Sequence, residues 1–249
     1  MNEESPNSCK NCGYVSKGYF CPRCGQRVGI HKITFRETLD DLADNLLSVN
    51  APLLITIRDL ILRPGILLRS YLAGKRKTYY RPVSFFILMT VIYIVIRSLI
   101  GFDPFRNSMI VVEEGGMDTS LLTEARNYML MNINNFLFTF VFTLALFMKL
   151  FFYKWYSLAE FLVVSFYLLG IYTLIVTCNM FVVQWFGDQL QPMGILIMLS
   201  YFLYSMISLF QRRYFLVILK SLILFVFAFM TYAMSSYGLS YLIVSFKQG

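Results

Sequence analysis

Long apolar stretches alternate with short polar ones through most of the chain. Five of them hold about twenty mostly apolar residues each, at 82–101, 133–153, 158–186, 193–210 and 214–234. An α-helix rises about 1.5 Å per residue, so about 20 residues cross the roughly 30 Å hydrocarbon core of a bilayer. The pattern therefore predicts an all-α integral membrane protein with about five transmembrane helices. The apolar tail is too short to cross alone and either continues the fifth helix or makes a short sixth pass.

The residues before the first span follow a different pattern. Residues 34–48 open with the capping-box sequence Thr34-Phe-Arg-Glu37 and place apolar side chains at helical spacing, which predicts an amphipathic helix. Its apolar face can pack on lipid or on the rest of the protein. The segments 52–62 and 66–73 are apolar but too short to span, which predicts interfacial or re-entrant helices. Arg63-Pro64-Gly65 should interrupt the helix between them.

Composition and charge give this pattern an orientation. Apolar residues make up 57% of the chain and charged residues 14%, against about 25% charged in an ordinary soluble domain. This excludes a soluble enzyme of usual composition and gives no reason to expect nucleic-acid binding. Residues 1–81 carry +6 of the net charge of +8, and the later loops alternate in sign. Because Lys and Arg accumulate on the cytoplasmic side, we expect the N-terminus inside and the C-terminus outside.

Four cysteines near the N-terminus form the strongest local motif. Cys9 and Cys12 make one C-x-x-C pair, Cys21 and Cys24 make a second, and a glycine follows each pair. Two such pairs around a short hairpin are typical of a tetrahedral Zn²⁺ site with four thiolate ligands. A closed four-thiolate cage leaves no open position, so the sequence predicts a structural zinc ribbon rather than a catalytic centre.

Four cysteines can also form two disulfides, a redox pair or an iron site. Two disulfides are disfavoured on a cytoplasmic head. A thioredoxin-like redox pair would require a βαβ pattern around it, and the sequence has none. Iron in the same four-sulfur cage is chemically compatible with these ligands. Structural Zn²⁺ is the cofactor that the spacing favours.

A cluster of cations and tyrosines lies between the ribbon and the first span. Four cations and two tyrosines directly before a span suit the lipid headgroup layer, although they can also act only as a topology signal. The candidate contacts with lipid, phosphate or a protein partner are Arg58, Arg63, Tyr71, Lys75, Arg76, Lys77, Tyr79 and Arg81.

Several motifs occur in one order from the ribbon to the first span. They are the C-x-x-C-G pairs ending in Gly25-Gln26, then His31-Lys-Ile-Thr-Phe35, Thr56, Asp59, Leu60, Arg63-Pro64-Gly65, Tyr71, Gly74-Lys-Arg-Lys77, Tyr79 and Pro82. In these motifs the chain resembles the uncharacterised bacterial membrane family called domain of unknown function 3667. The resemblance implies a zinc-ribbon-headed, multi-pass protein of the bacterial inner membrane, and it implies no activity.

These predictions divide the chain into a zinc ribbon (1–30), a cytoplasmic or interfacial segment (31–81) and a helix bundle (82–249). The sequence lacks the common nucleophile-elbow, zincin, P-loop and dinucleotide motifs, which favours a role other than catalysis. We expect a membrane-anchored scaffold or regulator whose head binds a cytosolic protein or anionic lipid. The alternatives are a transporter or channel for small molecules or lipids, for which a homo-oligomer could complete a path, and a membrane enzyme acting on lipid headgroups.

Overall fold

A computed structural model gives the fold of most of the chain. The predicted amphipathic helix at 34–48 lies outside the residues that it describes. The described residues are 7–16, 18–28, 51–102, 117–187, 190, 193–211 and 214–248.

The described residues form a small β-hairpin followed by α-helices. Strands β1 (Asn7–Ser8) and β2 (Val15–Ser16) pair antiparallel, with Ser8 opposite Val15. The helices are α1 (Ala51–Leu62), α2 (Pro64–Leu72), α3 (Pro82–Ile100), α4 (Met117–Met131), α5 (Ile133–Phe151), α6 (Leu158–Phe186), α7 (Met193–Phe210) and α8 (Tyr214–Gln248). The prediction of an all-α membrane protein with a cysteine-bearing head is therefore confirmed.

The break between α1 and α2 occurs at the predicted motif. Arg63 takes an extended φ of −153°, and Pro64 is the first residue of α2. Proline suits this position because its missing N–H would have no partner in the first helical turn. The last turn of α1 is closed by the Arg63 N–H, which donates to the Asp59 carbonyl at 2.9 Å. The chain thus has a helix break at Arg63 between two short helices that precede the first long one.

Helix α6 lies at the centre of the bundle and packs against α1, α3, α5 and α7. Its start is fixed by a capping box in which the Ser157 N–H donates to Glu160 and the Glu160 N–H donates to the Ser157 hydroxyl. The approach of α3 is close at Gly170, where an added Cβ would lie 2.7 Å from the Phe85 ring. A glycine at this position therefore allows two long helices to pack with their backbones near each other.

Among the described residues, four helices are long and apolar enough to cross a membrane: α3, α6, α7 and α8. A fifth crossing arises if α4 and α5 are one broken span, since Leu121–Met131 and Phe136–Phe151 meet at 85°. The chain is therefore a multi-pass membrane protein with four or five spans. The sharp bend before α5 was not predicted from the sequence.

Helix α8 extends well beyond the predicted end of the last span at 234. It is one continuous helix of 35 residues, about 52 Å long at about 1.5 Å per residue. One face of its C-terminal half packs against α4, where the Tyr237 hydroxyl donates to the Leu122 carbonyl at 3.3 Å and the Lys247 ammonium lies 5.2 Å from the Tyr128 ring centre. The apolar tail thus continues the same helix instead of turning back.

Candidate metal centre and juxtamembrane network

The four cysteines of the ribbon converge on one point. Their Sγ atoms all lie within 4.8 Å of one another, and Cys9–Cys24 and Cys12–Cys21 are both 3.6 Å apart. A tetrahedral site with metal–sulfur bonds of about 2.3 Å has sulfur–sulfur edges of about 3.8 Å. A disulfide bond would need about 2.05 Å. The arrangement therefore fits a metal ion held by four thiolates and does not fit two disulfides.

Two equivalent backbone turns produce this convergence. The Cys9 N–H donates to the Tyr14 carbonyl, and the Cys21 N–H donates to the Gln26 carbonyl, both at 2.8 Å. Gly13 donates back to the Cys9 carbonyl, and Gly25 donates back to the Cys21 carbonyl, also at 2.8 Å. Gly13 and Gly25 make the turns with φ values of +75° and +68°, a region that glycine enters without steric cost. The sequence repeat C-x-x-C-G is thus a repeat of one turn geometry.

The ribbon thiols differ in acidity. Burial raises the pKa of Cys21, but the backbone N–H groups of Cys24 and Arg23, together with hydrogen bonds from the Cys12 and Cys24 thiols, outweigh it and lower this pKa to about 7. The backbone N–H of Tyr14 lowers the pKa of Cys12, yet desolvation and the other three thiols together raise it to about 11. A bound divalent cation would displace these protons, because thiolates and not thiols ligate metals.

The ribbon is attached to the juxtamembrane loop, defined as residues 73–81 between α2 and α3. Gln26, which is buried, donates through Nε2 to the Gly74 carbonyl at 2.8 Å and accepts from the Lys77 N–H at 3.0 Å. The Thr78 hydroxyl also bonds the side chain of Asn11. Asn11 lies in the first of the two C-x-x-C-G turns, which are called knuckles below. Both knuckles therefore contact the loop, and one amide side chain holds two of its backbone groups.

The buried carboxylate of Asp59 bonds side chains from α1, the helix break and the juxtamembrane loop. Asp59 is 5% exposed. Its Oδ1 pairs with Arg58 at 2.8 Å and with Arg63 at 3.4 Å, while the Tyr79 hydroxyl donates to Oδ2 at 3.4 Å. Burial, and next the negative charge of Asp59, raise the pKa of Tyr79, so its phenol stays protonated near neutral pH. Helix α1, the helix break and the juxtamembrane loop thus share one anion.

Replacing Asp59 by alanine should lower the free energy of unfolding by about 2–4 kcal/mol, since a buried tyrosine and two arginines lose their acceptor. Asp59→Asn should cost about half as much, because the amide oxygen still accepts from Tyr79. Thermal denaturation in detergent measures both. Glu124→Ala, which removes an exposed carboxylate on α4, should change stability by less than about 0.5 kcal/mol. Equal effects of Asp59→Ala and Glu124→Ala would contradict a structural role for Asp59.

A second set of bonds ties the juxtamembrane loop to α1 and α6. The Thr56 hydroxyl accepts from the Tyr80 N–H at 2.8 Å, and the Tyr167 hydroxyl donates to the Tyr80 carbonyl at 2.5 Å. Tyr71 packs edge-on against Tyr167 with ring centres 5.4 Å apart. Both backbone polar groups of Tyr80 are therefore satisfied inside the protein at the start of α3.

Helix α7 binds the break between α1 and α2 through backbone groups. Tyr201 and Tyr204 donate to the Leu60 and Leu62 carbonyls at 3.1 and 2.7 Å. In return, Arg69 donates to the carbonyls of Ser208 and Leu209. These carbonyls lie in the last turn of α7, where carbonyls run out of helical donors and where a cation favours the helix dipole. Arg69 was not among the predicted site residues, and its spacing in the sequence carries no signal of this contact.

The predicted contact residues separate into three groups in the structure. Lys75 and Lys77 are exposed, and Arg76 and Arg81 are half-buried. Arg58 and Arg63 are about half exposed and pair with Asp59. Tyr71 and Tyr79 are buried, at 3% and 8% exposure, and belong to the packing just described. We therefore keep the two tyrosines out of any contact surface for lipid or a partner.

These observations define a class: a multi-pass α-helical membrane protein whose four-cysteine head is docked beside its first span. Within that class, residues 52–94 match the model of a family described as protein of unknown function (DUF3667). The match covers α1, α2, the juxtamembrane loop and much of α3, so it contains the Asp59 network, while the four cysteines precede it. It confirms the resemblance predicted from the sequence over these residues. No curated protein and no solved structure matches the chain.

Proposed function

We propose that this protein is a membrane-anchored scaffold or regulator whose ribbon binds a cytosolic protein. The observation that carries the proposal is that the ribbon is fixed to the juxtamembrane loop through its knuckles, while the side chains of Tyr14, Val15, Tyr19 and Phe20 between them, called the hairpin below, stay exposed. Tyr14 and Val15 are about half exposed, Tyr19 is 70% exposed and Phe20 is 65% exposed. Contiguous exposed apolar side chains on a small rigid module are typical of an interaction surface.

The charge around the hairpin indicates what kind of partner fits. Residues 15–28 contain Lys17, Arg23 and Arg27 and no acidic residue. A complementary partner therefore presents an apolar patch bordered by Asp or Glu, since opposite potentials steer association and select the correct partner. Aromatic side chains supply contact energy at the centre of such an interface, with the charges at its rim.

We assign Zn²⁺ as the structural metal of the ribbon. The donor set is four thiolates at the spacing of closed structural zinc sites, and the 3.6 Å sulfur separations are compatible with zinc–sulfur bonds. Bound Zn²⁺ would supply folding free energy and no chemistry, because all four positions are taken by protein ligands. Metal analysis of the purified protein distinguishes zinc from iron.

We place the protein in the bacterial inner membrane with the ribbon in the cytoplasm and the C-terminus outside. The support is the concentration of cations before α3, together with the alternating charge of the loops. In spheroplasts, a membrane-impermeant maleimide should label Lys247→Cys and leave Lys154→Cys unlabelled. The reverse labelling pattern would refute this orientation.

Photo-crosslinking from the hairpin tests the scaffold proposal. A photoreactive phenylalanine at Tyr19 should capture a defined protein in cells, and Arg23→Ala with Arg27→Ala should reduce that adduct several-fold. The same probe at Leu99, which is 81% exposed on α3, is the lipid-facing control. Lipid adducts alone at position 19, or the same proteins at both positions, would show that the hairpin is not a protein-binding surface.

The other two candidate functions draw no support from particular residues. The small cavity lined by α5, α6, α7 and α8 has a volume of about 10 Å³, about the size needed for one water molecule, which is too small for a solute. Among the residues that a headgroup enzyme would use, Arg58, Arg63 and Tyr79 are bonded within the Asp59 network, and Tyr71 is buried. The scaffold proposal is the one that uses an exposed surface.

A further inference from the structure

The junction between the ribbon and the juxtamembrane loop brings cations together from two distant parts of the chain. Gly74 has a φ of +110°, and an added Cβ there would lie 2.7 Å from Lys10 Cδ. The stem of Lys10 therefore lies directly over Gly74, next to Lys75. Lys77 is held beside the ribbon because its N–H donates to Gln26. Lys10, Lys75 and Lys77 are all exposed.

The two described stretches that meet at this junction are rich in cations. The stretches 7–28 and 51–102 together contain one acidic residue, Asp59, against twelve lysines and arginines. That carboxylate is buried and faces Arg58 and Arg63. The exposed lysines of the junction thus add to a positive potential that a nearby anion would compensate.

The position of the junction indicates which anion is within reach. The juxtamembrane loop ends at Arg81, and Pro82 begins α3, the first candidate span. A cation this close to the start of a span lies at the level of the lipid headgroups. The backbone N–H groups of Lys75, Arg76 and Lys77 already donate within the protein. Recognition would therefore use the side-chain ammonium groups, which bind phosphate as point charges.

We infer that the docked ribbon and the juxtamembrane loop together form a binding site for the phosphate of an anionic phospholipid. Lys10 comes from the ribbon, and Lys75 and Lys77 come from the loop. The site is complete only when the ribbon is folded and docked. This inference does not depend on the scaffold proposal, because it uses the knuckle side of the ribbon and not its exposed hairpin.

Lipid retention by the purified full-length protein tests the inference. In nanodiscs of phosphatidylcholine with a minor fraction of phosphatidylglycerol, native mass spectrometry should show phosphatidylglycerol enriched on the wild-type protein. Lys10→Met keeps the apolar stem over Gly74 and should reduce the enrichment about 5-fold, and Lys75→Met with Lys77→Met about 25-fold. Cys9→Ser with Cys24→Ser should match Lys10→Met, since the ribbon no longer holds Lys10 at the junction.

The matched control removes two lysines elsewhere. Lys154→Met with Lys220→Met should leave the enrichment unchanged, and an equal loss in this variant would overturn a defined site. An effect of the loop variant without an effect of Lys10→Met would reduce the site to a basic loop and refute the inference. Inorganic phosphate, added at constant ionic strength, should not displace the lipid. Displacement would identify a site for free phosphate instead.

Discussion

Removing the ribbon metal, by chelation or by Cys9→Ser with Cys24→Ser, should unfold residues 7–28 and leave the helix bundle intact. The ribbon has two-residue strands and exposes Tyr14, Val15, Tyr19 and Phe20, so it buries too little apolar surface to fold alone. Metal binding in comparable modules supplies about 10–16 kcal/mol. Hydrogen exchange at the Gly13 and Gly25 amides should therefore accelerate by at least about a hundredfold.

The bundle provides the internal reference for this experiment. Among the described residues, its core includes Leu60, Phe85 and Tyr167 and contains no ribbon residue. The ribbon is attached to the bundle at the juxtamembrane loop. Exchange in α3 and α6 should thus remain within about twofold of wild type. Cys178→Ser, which changes an exposed cysteine on α6, is the matched control and should retain the metal. A ribbon that stays protected after all metal is removed would refute the metal centre.

The second large effect is expected at Gly65. Its N–H donates to the Ser208 hydroxyl at 3.1 Å, and an added Cβ would overlap the Ser208 backbone carbonyl. Backbone atoms cannot rotate away, so Gly65→Ala must move α2 from α7. Overpacking of this kind costs about 1–3 kcal/mol, and here the bonds from Arg69 to α7 are strained as well. We expect a loss of about 3 kcal/mol or more, measured by thermal denaturation in detergent.

A glycine in open space gives the comparison. Gly238 lies within α8 with no atom inside 4 Å of an added Cβ, so Gly238→Ala should be neutral or slightly stabilising because alanine favours helix. Gly65→Ser should be at least as destabilising as Gly65→Ala, since it has the same Cβ. If Gly65→Ala is as stable as Gly238→Ala, then α2 does not pack on α7 as described.

The elements that could be predicted from sequence are those set by local physics. A helix must satisfy its own backbone in lipid, so the lengths of apolar runs place α3, α6 and α7 within a residue or two. The break at Pro64 follows from the missing N–H of proline. The four-cysteine cluster follows from the repeat of one turn sequence, and its metal-binding geometry agrees with the spacing.

The contacts that could not be predicted join residues far apart in the chain. Arg69 bonds carbonyls about 140 positions later, and carbonyls carry no sequence signal because every residue has one. Gln26 likewise binds backbone atoms of the juxtamembrane loop. The bend before α5 and the continuous α8 depend on how α4 packs against α8. Hydropathy measures neither packing partner nor direction, so it gave the later helices only as separate apolar runs.

The way Gln26 holds the juxtamembrane loop has a consequence for how the two parts can change. Its amide bonds the Gly74 carbonyl and the Lys77 N–H, which are both backbone groups. Residues 75 and 77 can therefore be substituted during evolution, which changes the charge of the surface, while the bonds from Gln26 remain. Position 26 has less latitude, because its side chain must donate to one of these backbone groups and accept from the other. Substitutions in the loop can thus change the surface charge without breaking the attachment of the ribbon. The same ribbon can therefore be kept while the charge beside it changes.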